Sequence, residues 1–111
     1  MMTNVNFKIT EKAQFQIKDA INWRTHTEGE EIARDKIKST IADFQSQLTT
    51  FPESGKACKY FDAPEYREIV KGDYRFVYEI RETDNNFDIY ILIFCHVKMD
   101  YETLLKQSSY F

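Results

Sequence analysis

Two cysteines, two prolines and three glycines are all that 111 residues contain, and each shortage closes off a class of protein. Cys58 and Cys95 stand far apart, so there is no disulfide framework of several pairs and no Cys/His cluster at the spacing of a zinc site. Cys95 lies inside the most apolar stretch, where a thiol usually serves as a small buried hydrophobe. Scarce Gly and Pro argue against a disordered or linker-rich chain. Basic residues are short too: 15 Lys and Arg face 18 Asp and Glu, a formal net charge of −3. Nucleic-acid affinity rests largely on neutralising phosphates, so RNA or DNA is disfavoured as the main partner. The apolar run Ile89 to Cys95 falls far below the roughly 20 residues that cross a bilayer. The opening MMTNVNFKIT is polar and has no secretory apolar core. The expectation is a soluble, cytoplasmic protein with no membrane contact, metal or cofactor.

What is present is apolar mass, 42% of the residues, with 15% aromatic. That suffices for one core, and no repeat, low-complexity tract or boundary divides the chain, so a single domain over 1–111 is expected. Its centre is the stretch from Tyr66 to Arg81. Alternating and β-branched residues flank Gly72-Asp73, which predicts two strands joined by a tight turn. Asn85-Asn86 offers a second turn and Asp88 to His96 a third strand, giving an antiparallel meander. Tyr74, Phe76, Tyr78 and Ile80 share one face; Arg75, Val77, Glu79 and Arg81 share the other. In the third strand strict alternation puts Ile89, Ile91 and Ile93 opposite Tyr90, Leu92 and Phe94. Both faces are apolar, as in a strand near the middle of a sheet.

Before the meander, Val5, Phe7 and Ile9 alternate in a short strand. Thr10 is a good N-cap, with Glu11 in the first turn that follows. Ala13, Ile17, Ala20, Ile21 and either Trp23 or its neighbour line one face of a first helix ending near Thr25-His26-Thr27. Glu28, Glu30 and Glu31 start a second helix, in which Ala33, Ile37, Ile41, Phe44 and Leu48 recur at helical spacing until Phe51-Pro52 stops it. The αα-hairpin should bury its apolar face on the sheet, and as a crossover it would make the first and last strands parallel. Residues 53–64 read as an irregular loop. Asp100 is placed to cap a short last helix, Tyr101 to Lys106, ahead of a polar tail ending in Tyr110-Phe111.

This α+β order, β-α-α-β-β-β with a helical hairpin on an antiparallel meander and a short C-terminal helix, resembles the RelE/ParE superfamily of type II toxins. The residues that carry the resemblance are Phe51-Pro52-Glu53-Ser54-Gly55, Arg67-Glu68-Ile69-Val70, Tyr74-Arg75-Phe76-Val77-Tyr78 and His96-Val97-Lys98-Met99-Asp100, spanning nearly the whole chain. RelE-like members are ribosome-dependent ribonucleases. Such cleavage needs a proton acceptor, cations for the phosphorane and an acid for the leaving oxygen. The family supplies these with lysines on the second strand, arginines on the next strands and a tyrosine near the C-terminus. Here Arg75 matches the strand arginine, but Arg67, Glu68 and Lys71 stand where closely spaced lysines belong, and a glutamate in a phosphate cradle repels its substrate. The ending His96-x-x-Met99-Asp100 is similar to the ParE branch, whose members inhibit DNA gyrase without that set.

The resemblance therefore implies a ParE-like, gyrase-inhibiting toxin neutralised by a cognate antitoxin, ParD-like or similar. The alternative is a ribonuclease acting on messenger RNA at the ribosome, with Arg67, Arg75 and His96 as its catalytic groups. A further alternative is a non-toxic binding module of the same fold. Contact with target or antitoxin is expected from Arg67, Arg75, Tyr78, His96, Lys98, Met99 and Tyr101. Each residue also has a structural account. Arg75 could pair with Glu68 or Glu79 across the hairpin, an exposed pair of little energetic weight. Tyr74 and Tyr78 could be sheet-face aromatics whose hydroxyls need partners. His96 could be a capping or hydrogen-bonded histidine.

Overall fold

The computed structural model describes residues 4–58 and 63–99. Strand β1 (Asn4–Ile9) leads through Thr10 into helix α1 (Glu11–Glu28), and Gly29 alone separates α1 from α2 (Glu30–Thr50). Four strands follow: β2 (Lys56–Ala57), β3 (Tyr66–Lys71), β4 (Tyr74–Thr83) and β5 (Asn86–His96). They form one sheet in the order β1-β5-β4-β3-β2, with β1 parallel to β5 and the other pairs antiparallel. The fold class is α+β, with the two helices packed on a five-stranded mixed sheet.

The local chemistry explains each junction. Thr10 caps α1, its Oγ1 accepting from Ala13 N–H at 3.2 Å while donating to the Ile91 carbonyl at 2.9 Å. One residue thus ends β1, starts α1 and fastens the join to β5. Gly29 has φ 88°, a conformation that a side chain would strain, so the helices turn on a single residue. α1 consequently runs to Glu28, past the weak helix formers at 25–27 where its end was expected. The pre-proline Phe51, with φ −132° and ψ 80°, closes α2.

The helix-side core joins Ala13, Ile37, Phe44 and Leu48 to Ile69, Tyr74, Phe76, Tyr78, Ile89, Ile91 and Phe94. Phe44 is its hub, stacked on Phe76 at 4.2 Å and edge-on to Tyr78 at 5.4 Å and Phe7 at 6.2 Å. Across the sheet a smaller cluster holds Cys58, Val77, Ile93 and Cys95, with Tyr66 and Leu92 against it.

β5 lies near the middle of the sheet as expected, between β1 and the central β4. Several other expectations are corrected. Within the expected loop, Lys56-Ala57 pairs with β3. The β4–β5 turn falls on Asp84-Asn85, one residue early, because Asp84 takes the positive φ of 47°. Most consequential is a bulge: Val77 pairs with Ile93 but Tyr78 with Ile91, leaving Leu92 over. Strict alternation therefore fails beyond it, so Phe94 enters the helix-side core while Ile93 faces away. The expected last helix and its cap Asp100 lie outside the described residues.

On α1 the inward place next to Ala20 and Ile21 goes to Arg24, and Trp23 is 75% exposed. Trp23→Ala is accordingly expected to change unfolding free energy by no more than about 0.5 kcal/mol, checked by urea denaturation.

Candidate functional site

Each proposed nuclease residue is placed by strand register, since residues opposite one another on neighbouring strands share a face. Arg75 lies opposite Val70 and Cys95, on the face away from the helices. Arg67 lies opposite Tyr78 and His96 opposite Tyr74, both on the helix side. Arg75 and His96 thus project from opposite faces of the sheet. Arg67 and His96 share a face, but their partners are four residues apart on β4, roughly 13 Å along the strand. The three groups do not converge on one phosphate.

Their contacts explain what they do instead. Arg67 Nη1 donates to the carbonyls of Glu53 (3.1 Å) and Gly55 (2.9 Å), fastening the loop after α2 to the edge of the sheet. Tyr78 is fully buried, which takes it out of reach of any partner. Its hydroxyl abuts Gly55 without a well-formed hydrogen bond, and burial pushes its pKa up to about 12. Glu68 is also buried and lies 3.5 Å from the Lys56 ammonium. Glu79 pairs with Arg81 at 3.1 Å. Beside Arg75, burial raises the Cys95 thiol to about 11, against the opposing pull of the Arg75 charge. That thiol is an inert hydrophobe.

The other expected contact residues form the exit from β5. His96 Nδ1 accepts the Lys98 amide at 3.1 Å, and Met99 N–H donates to the His96 carbonyl at 2.9 Å. Val97 N–H donates to the Asp73 carbonyl at 2.8 Å, holding the turn to the β3–β4 hairpin. Lys98 is exposed and Met99 is 52% exposed. Tyr101 lies outside the described residues.

Sequence reasoning missed a polar chain beside this exit. Arg24 forks onto Glu28, Nε to Oε2 and Nη2 to Oε1, both at 3.1 Å, and its Nη1 donates to the Tyr74 hydroxyl at 2.8 Å. Lys36 Nζ reaches Glu28 Oε1 at 2.7 Å. Lys36 and then Arg24 hold the Glu28 carboxyl below its ordinary range. The Tyr74 ring stacks on Phe94 at 4.8 Å and meets the His96 ring edge-on at 5.6 Å. The available signal was Arg24–Glu28 at helical i,i+4 spacing, with Arg24 one residue beyond the apolar stripe.

Among the described residues no three of His, Cys, Asp and Glu gather to hold a metal, and no helix is long and apolar enough to cross a membrane. Arg67, Arg75 and His96 do not point at one place, and the exposed Lys98 and Met99 make the β5 exit a contact surface.

Comparison with known proteins gives a consistent result. The family profile described as ParE toxin of type II toxin-antitoxin system, parDE, matches residues 7–101. A solved structure described as the chromosomal ParDE TA system from P. aeruginosa is similar with a TM-score of 0.60 and 20% identity, covering 85% of this chain and 97% of that one. One described as a YoeB/ParE toxin from Agrobacterium tumefaciens has a TM-score of 0.53 and 14% identity, covering 82% and 97%. At these identities the structural likeness is one of fold. No curated protein sequence matches significantly.

Proposed function

Since this chain belongs to the ParE toxin family of type II toxin–antitoxin systems, we propose that it arrests growth by inhibiting DNA gyrase and is neutralised by a cognate antitoxin. The observation that carries the choice of target is the scatter of Arg67, Arg75 and His96 over two faces of the sheet and roughly 13 Å of strand. A ribonuclease must bring its base, its cations and its acid to one phosphate within hydrogen-bond reach. A toxin that acts by contact needs only a surface. In this reading His96, Lys98 and Met99 at the β5 exit meet the target, and Tyr101 takes part with them. Arg75 contributes from the other face of the sheet, and Arg67 and Tyr78 keep the fold that presents the surface.

The antitoxin docks on the helical hairpin. Phe15, Trp23 and Ile32 stand on that hairpin at 68%, 75% and 54% exposure, apolar anchors for a tail that folds as it binds. With a net charge of −3, the chain draws on such anchors more than on attraction between opposite net charges.

The test is inducible expression in a bacterial host, following DNA and protein synthesis by pulse labelling. DNA synthesis is expected to stop first, with gyrase trapped on DNA. Translation stopping first, with cut messages, would overturn the proposal in favour of the nuclease. Neither effect would leave a binding module of the same fold.

A further inference from the structure

The chain Lys36–Glu28–Arg24–Tyr74 spans two helices and a strand and ends against His96, which opens the β5 exit turn. An Arg–Glu pair at i,i+4 on an exposed helix surface contributes little and would need no further explanation. This one differs in two respects. Its side chains are largely withdrawn from water, 16% exposed for Arg24 and 23% for Glu28. Its guanidinium also has every nitrogen committed: Nε and Nη2 to Glu28, and Nη1 to a hydroxyl fifty residues away on β4. The planar fork fixes the direction of Nη1 once Glu28 is engaged. Lys36, on the second turn of α2, in turn fixes Glu28 from the far side. Tyr74 then carries that position into the sheet, since its ring is buried, stacks on Phe94 and abuts the His96 ring.

We propose that these four side chains form a strut that fixes the β5 exit turn, residues 96–99, to the tip of the helical hairpin, so that a partner bound at the tip alters the turn. The strut is a property of the fold and holds whichever target the exit turn meets. It gives a route by which a partner on the hairpin could loosen or order a surface that it does not cover. Glu28 is the sensitive joint, because one carboxylate serves both cations. A partner that draws off Lys36 or Glu28 frees Arg24, and the hydrogen bond to Tyr74 loses its direction.

Amide hydrogen exchange by NMR on the full chain tests this. The readouts are Val97 and Met99, whose N–H groups are bonded to the Asp73 and His96 carbonyls. Tyr74→Phe keeps both ring contacts and deletes only the hydroxyl. Glu28→Ala touches nothing in the turn. Loss of a hydrogen bond to a charged group predicts roughly tenfold faster exchange at both amides in both variants, with the Phe76 and Ile91 amides unchanged. Three results overturn the proposal: no change at 97 and 99; an equal rise throughout the sheet, which is global destabilisation; or a rise in Tyr74→Phe alone, because the effect then stops at the ring. Growth arrest is not the readout, so failure of the strut and failure of the gyrase reading are separate outcomes.

Discussion

Phe44→Ala is expected to cost about 3–5 kcal/mol of unfolding free energy, the range for truncating a buried phenylalanine. Phe44 has no exposed surface and touches the rings of β1 and β4 together. Its removal loses the stacking on Phe76 and the two edge contacts as well as the buried area. The cavity cannot close, because Phe76 and Tyr78 are themselves held in the sheet by register with Phe94 and Ile91. Against the roughly 5–15 kcal/mol that stabilises a domain of this size, such a loss leaves a partly unfolded population at 37 °C. Urea denaturation should show the midpoint lowered by about 2 M with an unchanged slope near 2 kcal/mol/M. A shift below 0.5 M would mean that the hairpin does not depend on this ring.

The second large effect concerns a glycine retained for want of space. A Cβ on Gly55 would lie 2.0 Å from the Tyr78 hydroxyl, 2.8 Å from Cζ of that ring and 3.1 Å from the Glu68 carbonyl. The tyrosine cannot swing aside, because its ring is fully buried against Phe44. Gly55→Ala must therefore push the loop off the sheet edge, stretching the Arg67 bonds to Glu53 and Gly55, at a cost of about 1–3 kcal/mol. Tyr78→Phe alone should be worth less than about 1 kcal/mol, since the deleted hydroxyl has no good partner to lose. In that background Gly55→Ala should cost distinctly less, with the Cζ contact remaining. A double-mutant cycle by urea denaturation measures the coupling. Strict additivity would show that the hydroxyl does not cause the loss.

How much of this was legible follows from particular residues. Thr10 as a cap, the Gly72-Asp73 turn, the stripe Ala33–Ile37–Phe44–Leu48 and the face shared by Tyr74, Phe76 and Tyr78 were readable. Each rests on a spacing of 2 or 3.6 residues within one element, and such spacing fixes a side chain's direction relative to its own neighbours. The parallel pairing of β1 with β5 was readable as well, because a hairpin of two helices between strands makes a crossover. Trp23 against Arg24 was readable only as a choice between neighbours. An arginine with an internal carboxylate and hydroxyl can take an inward place that hydropathy would give to tryptophan.

The candidate site was legible as a set of names and not as a place. Arg67, Arg75 and His96 all belong to the motifs that mark the family, and the chain alone suggests that they gather. What separates them is register. Arg75 stands opposite Cys95 and His96 opposite Tyr74, which sends adjacent pairs to opposite faces. The bulge at Leu92 moves Phe94 and Ile93 across the sheet without leaving a mark in their own spacing. The Arg24–Tyr74 bond joins residues fifty positions apart. Spacing within the chain was enough for both helices, four of the five strands, their order and most of their apolar faces, while β2 and the faces of β5 beyond the bulge escaped it. Which side chains meet is settled by how far one strand slides along another and which face each helix covers, and no local period encodes either.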